Sequence, residues 1–206
     1  RAAPPITGKD QRHVFDGNEL RGLLFGTDAQ AAKKLTVFQR LIVTMGQISQ
    51  LLRSISALRL LSKIWMPLSK RVVLIGGGLV GLELAEYLHE RGRDITVIEP
   101  SPNLGAELSI VRRARIIHEL RENGVAMHSG ANTLEITKDS VEFEVDGERQ
   151  SVKAQHVIIA MGAEPDTTLS DQIQSAGIHT ISVGDCHEVG YIEGAVHSGR
   201  AAALSI

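Results

Sequence analysis

The tightest constraint on this chain is a run of six residues, Gly76-Gly77-Gly78-Leu79-Val80-Gly81, set between two segments of different character. Before it, Arg71-Val72-Val73-Leu74-Ile75 reads as a buried strand. After it, Val80 to Arg91 reads as a helix, with Gly92 placed to end it. A buried strand turning into a helix through Gly-x-Gly-x-x-Gly points to parallel α/β architecture. Each glycine has a physical task. Gly76 permits the tight turn out of the strand, Gly78 lets the backbone approach a pyrophosphate, and Gly81 lets the helix pack closely on the strand. Gly77, Leu79 and Val80 complete the loop, and the free N–H groups and positive dipole end of the helix meet the phosphate charge.

The downstream pattern supplies the rest of a nucleotide-binding domain. Asp94 to Glu99 reads as the next strand, Glu107 to Glu122 as a second helix closed by Asn123-Gly124, and Val125 to His128 as a third strand. Leu134 to Thr137 and Val141 to Val145 flank a turn at Lys138-Asp139, Asp146-Gly147 makes a second turn, and His156 to Ala160 is a return strand ending at Gly162. The expected fold class is α/β: a Rossmann-like parallel sheet with a small antiparallel excursion, preceded by amphipathic helices. Glu99 lies 18 residues after Gly81, the spacing of a carboxylate that accepts hydrogen bonds from an adenosine ribose. Such a carboxylate repels a 2′-phosphate, so NADH is favoured over NADPH, with Arg112, Arg113 and Arg115 the residues placed to reverse that preference. Glu83 sits near the start of the glycine helix, close to a bound cofactor, whereas Glu86 reads as part of a solvated helix face.

Composition narrows the partners. Aromatic residues make up 3% of the chain, too few for base-stacking recognition of nucleic acid. A single cysteine, Cys186, excludes an internal disulfide, a Cys-x-x-Cys redox pair and a cysteine-ligated cluster within this chain, and a cytoplasmic setting is expected. Charge is uneven: between Asp28 and Glu83 there are eight basic residues, Lys33, Lys34, Arg40 and Arg53 among them, and no acidic one. Val14 to Leu24 reads as a short helix capped by Asp16, and apolar residues recur at helical spacing from Leu35 to Ile55. A second apolar run, Leu58 to Met66, stops at Pro67. Arg40, Gln47, Arg53 and Arg59 interrupt every window of about 20 apolar residues that a membrane span needs. The helix at 35–55 therefore reads as a linker packed on its own protein, with a membrane surface as the lesser alternative.

Lys70 to Glu99 closely resembles the NAD(P)H domain of the two-dinucleotide-fold flavoprotein reductases. Ala160-Met161-Gly162-Ala163-Glu164-Pro165-Asp166 is similar to their Ala-Thr-Gly-x-x-Pro-Asn crossover, with Met161 for threonine and Asp166 for asparagine. Ile181-Ser182-Val183-Gly184-Asp185 resembles the segment whose aspartate binds the FAD ribityl chain. The resemblance implies cofactor contacts at Gly162, Gly184 and Asp185, with Glu193-Gly194-Ala195 opening a helix toward the flavin; by local spacing alone, Asp185 is a helix-cap or turn residue. Phe15 to Leu24, Trp65-Met66-Pro67-Leu68 and Gly184-Asp185-Cys186 through Gly194 are similar to the 2,4-dienoyl-CoA reductase and enoate reductase group and the related trimethylamine dehydrogenases. That group implies NADH reducing FAD, then an iron–sulfur cluster, then FMN in an N-terminal barrel that reduces an activated C=C bond.

The family's FAD-holding glycine motif, barrel, cluster cysteines and catalytic acid have no counterpart here. With the start at Arg1, this leads us to expect a piece of a longer polypeptide that binds FAD only when completed by the missing FAD-domain half. The expected division is a partial FAD-domain segment over 1–30, a helical linker over 31–69, the NAD(H)-binding domain over 70–162 and a second partial FAD-domain segment over 163–206. No side chain is required as an acid or a nucleophile, and His187 and His197 read as ordinary polar residues. The expected function is the NADH-binding portion of a flavin-dependent oxidoreductase; the alternative is a non-catalytic NAD(H)-binding or partner-docking module.

Overall fold

The computed structural model describes residues 6–17, 19, 34, 66, 68–162 and 164–205. The helix expected over 35–55 lies outside them, as do Leu20 to Leu24 and most of the run from Leu58 to Met66. The described residues form two compact units, 6–161 and 162–205.

The first unit holds β1 (Val14–Asp16), β2 (Arg71–Ile75), α1 (Leu79–His89), β3 (Asp94–Glu99), α2 (Ile110–Glu122), β4 (Ala126–Ser129), β5 (Asn132–Ile136), β6 (Ser140–Val145), β7 (Glu148–Lys153) and β8 (His156–Ile159). Five strands make a parallel sheet in the order β1-β8-β2-β3-β4, and β5-β6-β7 make a separate antiparallel sheet. The apolar run of β2 divides by its period of two. Val72 and Leu74 face a core shared with Leu82, Ala85 and Leu88 of α1 and with Ile116 and Leu120 of α2. Val73 and Ile75 face a second core with Ile136, Val141 and Phe143 of the antiparallel sheet. Both faces of β2 are therefore dry, which is why its sequence shows no polar alternation.

The chain moves outward from β2 through β3 to β4, then returns by β8 to the other side of β2. The direction of winding thus reverses between β2 and β8, and the carboxyl ends of those strands border the crevice where this architecture binds ligands.

Two sequence expectations need correction. Val14 and Phe15 do not begin a helix: both are fully buried and pair in parallel with Val157 and Ile158 of β8. Burying two successive large apolar residues favours the sheet, so the helix begins only after Asp16. Asp16 is its cap as expected: Asp16 Oδ1 accepts the Glu19 amide at 2.7 Å, and Glu19 Oε2 accepts the Asp16 amide at 3.1 Å. The second helix starts at Ile110, not at Glu107. The chain ahead of it folds back instead, with the Leu108 amide donating to Gly105 O at 3.0 Å and the Gly105 amide to Gly77 O at 2.7 Å.

Lys34, a member of the basic stretch, bonds Glu19 at 2.6 Å and the Val14 carbonyl at 2.7 Å, so its charge is used inside the fold. No helix among the described residues is long and apolar enough to cross a membrane.

The second unit contains α3 (Thr168–Ser175), a 3-10 turn (Gly184–Cys186) and α4 (Tyr191–Leu204). Neither α3 nor α4 has a buried residue, and Leu169, Ile192, Val196 and Leu204 all lie open to solvent. Within its own described residues this unit has no apolar core.

Candidate functional site

The glycine run lies at the carboxyl end of β2. Gly76 leaves the strand with φ +111°, in the region that side-chain-bearing residues rarely adopt, and its amide donates to Ile98 O of β3 at 2.8 Å. A Cβ on Gly81 would strike the Gly76 carbonyl, so this glycine is what allows α1 to lie so near the strand. Gly78 differs from both. It precedes α1 in extended conformation, and the nearest atoms to a Cβ built on it are the carboxylate oxygens of Glu107, at 3.0 Å. The first glycine and the last therefore serve packing, while the middle one meets a carboxylate at the helix start. The opening amides of a helix have no intrahelical acceptor, so Leu79 and Val80 follow Gly78 with N–H groups suited to an anion.

Glu99 ends β3 beside this loop. Its Oε2 accepts the Gly77 amide at 2.6 Å and its Oε1 accepts the Ser101 amide at 2.7 Å. Each contact is charge-assisted, and together they fix the carboxylate while leaving acceptor capacity on both oxygens. Residues 22 apart in sequence, Gly77 and Glu99, are thus brought into direct contact.

Glu83 is exposed on α1. Glu86 departs from expectation: it is no solvated face residue but pairs with Arg112 of α2 at 2.9 Å, with both side chains about 30% exposed. Arg113 donates to Leu104 O at 2.6 Å and to Asn103 Oδ1 at 3.4 Å, and Arg115 pairs with Glu119 at 3.4 Å. Each of the three arginines that could welcome a 2′-phosphate thus has a partner within the fold.

Sequence reasoning missed Glu107. Its Oε2 accepts the Leu79 amide at 3.1 Å, across 28 residues of sequence. An acidic residue ahead of a helix reads as that helix's own first-turn acid, and nothing local reveals that it reaches back to the helix before.

In the second unit, Asp185 Oδ1 accepts the Gly190 amide at 3.0 Å and the Tyr191 amide at 2.9 Å. It caps α4, the arrangement that local spacing favours. Gly184 adopts φ +70°, and its amide donates to Ser198 Oγ at 2.9 Å. Gly162 adopts φ +68° with open space where a Cβ would stand. His187 and His197 are exposed, and His197 lies 3.9 Å from Glu193, one helical turn away.

The glycine loop fits a dinucleotide: a backbone without side chains at Gly78, an anion-favouring helix start and a carboxylate fixed beside the loop at the end of β3. For FAD the fit is partial. Asp185 and the start of α4 offer one polar wall, and no second strand–glycine–helix turn occurs among the described residues.

Comparison with known proteins agrees with this geometry. Residues 32–187 match the family described as pyridine nucleotide-disulphide oxidoreductase. The chain is 35% identical over 136 residues to a bilirubin reductase of Mediterraneibacter gnavus, covering 66% of this chain and 21% of the relative. It is 30% identical over 149 residues to an NADH oxidase of Thermoanaerobacter brockii, covering 71% of this chain and 23% of the relative. The whole chain superposes on 25% of a 2-naphthoyl-CoA reductase with a TM-score of 0.66 at 21% identity, a likeness of fold. The chain thus spans less than a quarter of the length of either curated relative.

Proposed function

Because the chain belongs to the pyridine nucleotide-disulphide oxidoreductase family, we propose that it is the NADH-binding portion of a flavin-dependent oxidoreductase that passes hydride from NADH to FAD. The observation that carries this reading is the glycine loop at the β2–β8 reversal, with Gly78 in extended conformation at the helix start and Glu99 held on the Gly77 amide. NADH, when bound, supplies the hydride. This chain binds and orients: Gly76, Gly77, Gly78 and Gly81 shape the loop, the Leu79 and Val80 amides face the pyrophosphate, Glu99 takes the ribose and Glu83 lies near the helix start, close to the bound cofactor. The rate contribution is positional, and no side chain here acts as acid or nucleophile. NADH is preferred to NADPH because Glu99 repels a 2′-phosphate, and Arg112, Arg113 and Arg115 each have a partner other than a nucleotide.

Gly162, Gly184, Asp185 and the start of α4 form this chain's share of an FAD site that the rest of a longer polypeptide completes. The coreless second unit supports that reading, since an apolar surface of this kind needs a covering partner. The most specific form of the proposal has the electrons reach an activated C=C bond outside this chain, with FMN and an iron–sulfur cluster also elsewhere. It rests on the likeness of 15–24 and 184–194 to the dienoyl-CoA and enoate reductases.

Calorimetric titration of the purified chain with NADH, NADPH and FAD tests the reading. Saturable NADH binding, weaker NADPH binding and little FAD binding are expected. Absence of NADH binding overturns it; tight FAD binding by the chain alone overturns the shared FAD site.

A further inference from the structure

Two carboxylates meet the glycine loop, and only Glu99 has a part in the reading above. Glu107 is the other. We propose that Glu107 is a built-in competitor for the dinucleotide pyrophosphate: it holds the Leu79 amide in the absence of nucleotide and must leave as the phosphates arrive. This inference rests on the dinucleotide reading and concerns the regulation of affinity at that same site.

The contrast between the two acids carries the argument. Glu99 is tied through both oxygens to two amides, Gly77 and Ser101, and has no freedom to withdraw. Glu107 is an exposed residue whose carboxylate accepts one hydrogen bond among the described residues, from the Leu79 amide at 3.1 Å, and both its oxygens stand 3.0 Å from where a Gly78 Cβ would be. It therefore fills the space at Gly78 that a side chain is barred from filling, and it does so with an anion. The Leu79 amide opens α1, where the backbone offers its unpaired donors to a phosphate. A carboxylate and a pyrophosphate oxygen compete for that donor and repel each other if both remain.

The loop carrying Glu107 is anchored while its side chain is not. Gly105 donates to Gly77 O at 2.7 Å, and Arg113 donates to Leu104 O at 2.6 Å, so the backbone keeps its place beside the glycine loop. Rotation of the Glu107 side chain alone clears the site. The arrangement lowers affinity without closing the site, and it selects for ligands whose phosphates outbid a carboxylate.

The test is isothermal titration of the wild-type chain, Glu107→Gln and Glu107→Ala with NADH, ADP-ribose and adenosine. Glutamine keeps the shape and removes the charge; alanine removes both. Each variant is expected to bind NADH and ADP-ribose about tenfold more tightly than wild type, the factor corresponding to 1.4 kcal/mol. The gain is expected to shrink as salt is raised. Adenosine, which has no phosphate, is expected to bind all three proteins alike, a result that a general loosening of the loop would not give. Unchanged or weaker NADH binding in both variants overturns the role of Glu107 while leaving the dinucleotide reading intact. Failure of all three proteins to bind NADH and ADP-ribose overturns both.

Discussion

Glu99 Oε2 accepts the Gly77 amide at 2.6 Å, joining the end of β3 to the loop that leaves β2. The same carboxylate that presents acceptors outward also pins the loop from which a dinucleotide would be held. A change at Glu99 is therefore expected to act on cofactor choice and on loop geometry together.

Glu99→Ser removes the charge and both amide contacts. Hydrogen bonds to charged groups contribute about 1.5 to 3 kcal/mol, so NADH affinity is expected to fall about ten- to a hundredfold while NADPH affinity falls less or rises. Parallel titrations with the two nucleotides give the ratio. An unchanged ratio removes Glu99 from the ribose site.

The glycines are expected to separate fold from binding. Gly81→Ala places a methyl against the Gly76 carbonyl, an overpacking that costs about 1 to 3 kcal/mol and is read as a lowered urea midpoint. The nearest atoms to a Cβ at Gly78 belong to the movable Glu107 carboxylate, so the fold of Gly78→Val should persist. The valine side chain would stand where the pyrophosphate lies, and NADH binding should be lost. Normal NADH binding by Gly78→Val would contradict the cofactor placement.

Arg112→Ala breaks the 2.9 Å pair with Glu86. For a partly exposed pair the expected cost is about 1 kcal/mol or less, with the preference for NADH over NADPH unmoved. A gain or loss in NADPH affinity would show that Arg112 reaches the ribose after all.

His156 sets a pH dependence. Burial, reinforced by the neighbouring His13, pushes its pKa down to about 4, and its Nδ1 accepts the Ser69 amide at 3.0 Å, which requires that nitrogen unprotonated. The unfolded chain takes up a proton near pH 6.5, before the folded chain does, so stability is full above that value. It falls as pH drops from about 6.5 toward 4, by an amount on the order of 3 kcal/mol. Urea unfolding at pH 7 and pH 5 should show the loss, and His156→Gln should flatten it.

What was legible in the sequence follows the range of the interactions involved. β3 matches its expected bounds because six residues with a clear apolar pattern sit between turn signals. α1 is fixed within two residues by its glycines, and the turn at Asp146-Gly147 is marked by two residues suited to positive φ. β1 was hidden because Val-Phe-Asp is too short to show a period, and its pairing partner lies in β8, more than 140 residues on. Glu86 was misread for a similar reason: its ion pair with Arg112 spans 26 residues. In the site, the glycines and Glu99 were visible through motif and spacing, whereas Glu107 depends on the fold-back at Gly105. Asp185 stands between the two, since its capping bonds are local and the flavin role rests on resemblance.

The order of the sheet has a consequence for how the protein is made. β8 lies between β1 and β2, and among the described residues β1 pairs with no other strand. During synthesis, β2, β3 and β4 can assemble with α1 and α2 while the inner edge of β2 stays unpaired and β1 waits for a strand not yet translated. Until residues 156–159 leave the ribosome, the nascent chain carries an open apolar strand edge of the kind that recruits other chains. The last strand of the sheet to be synthesised is therefore the one that seals it, and the yield of soluble product should depend on how quickly that strand arrives.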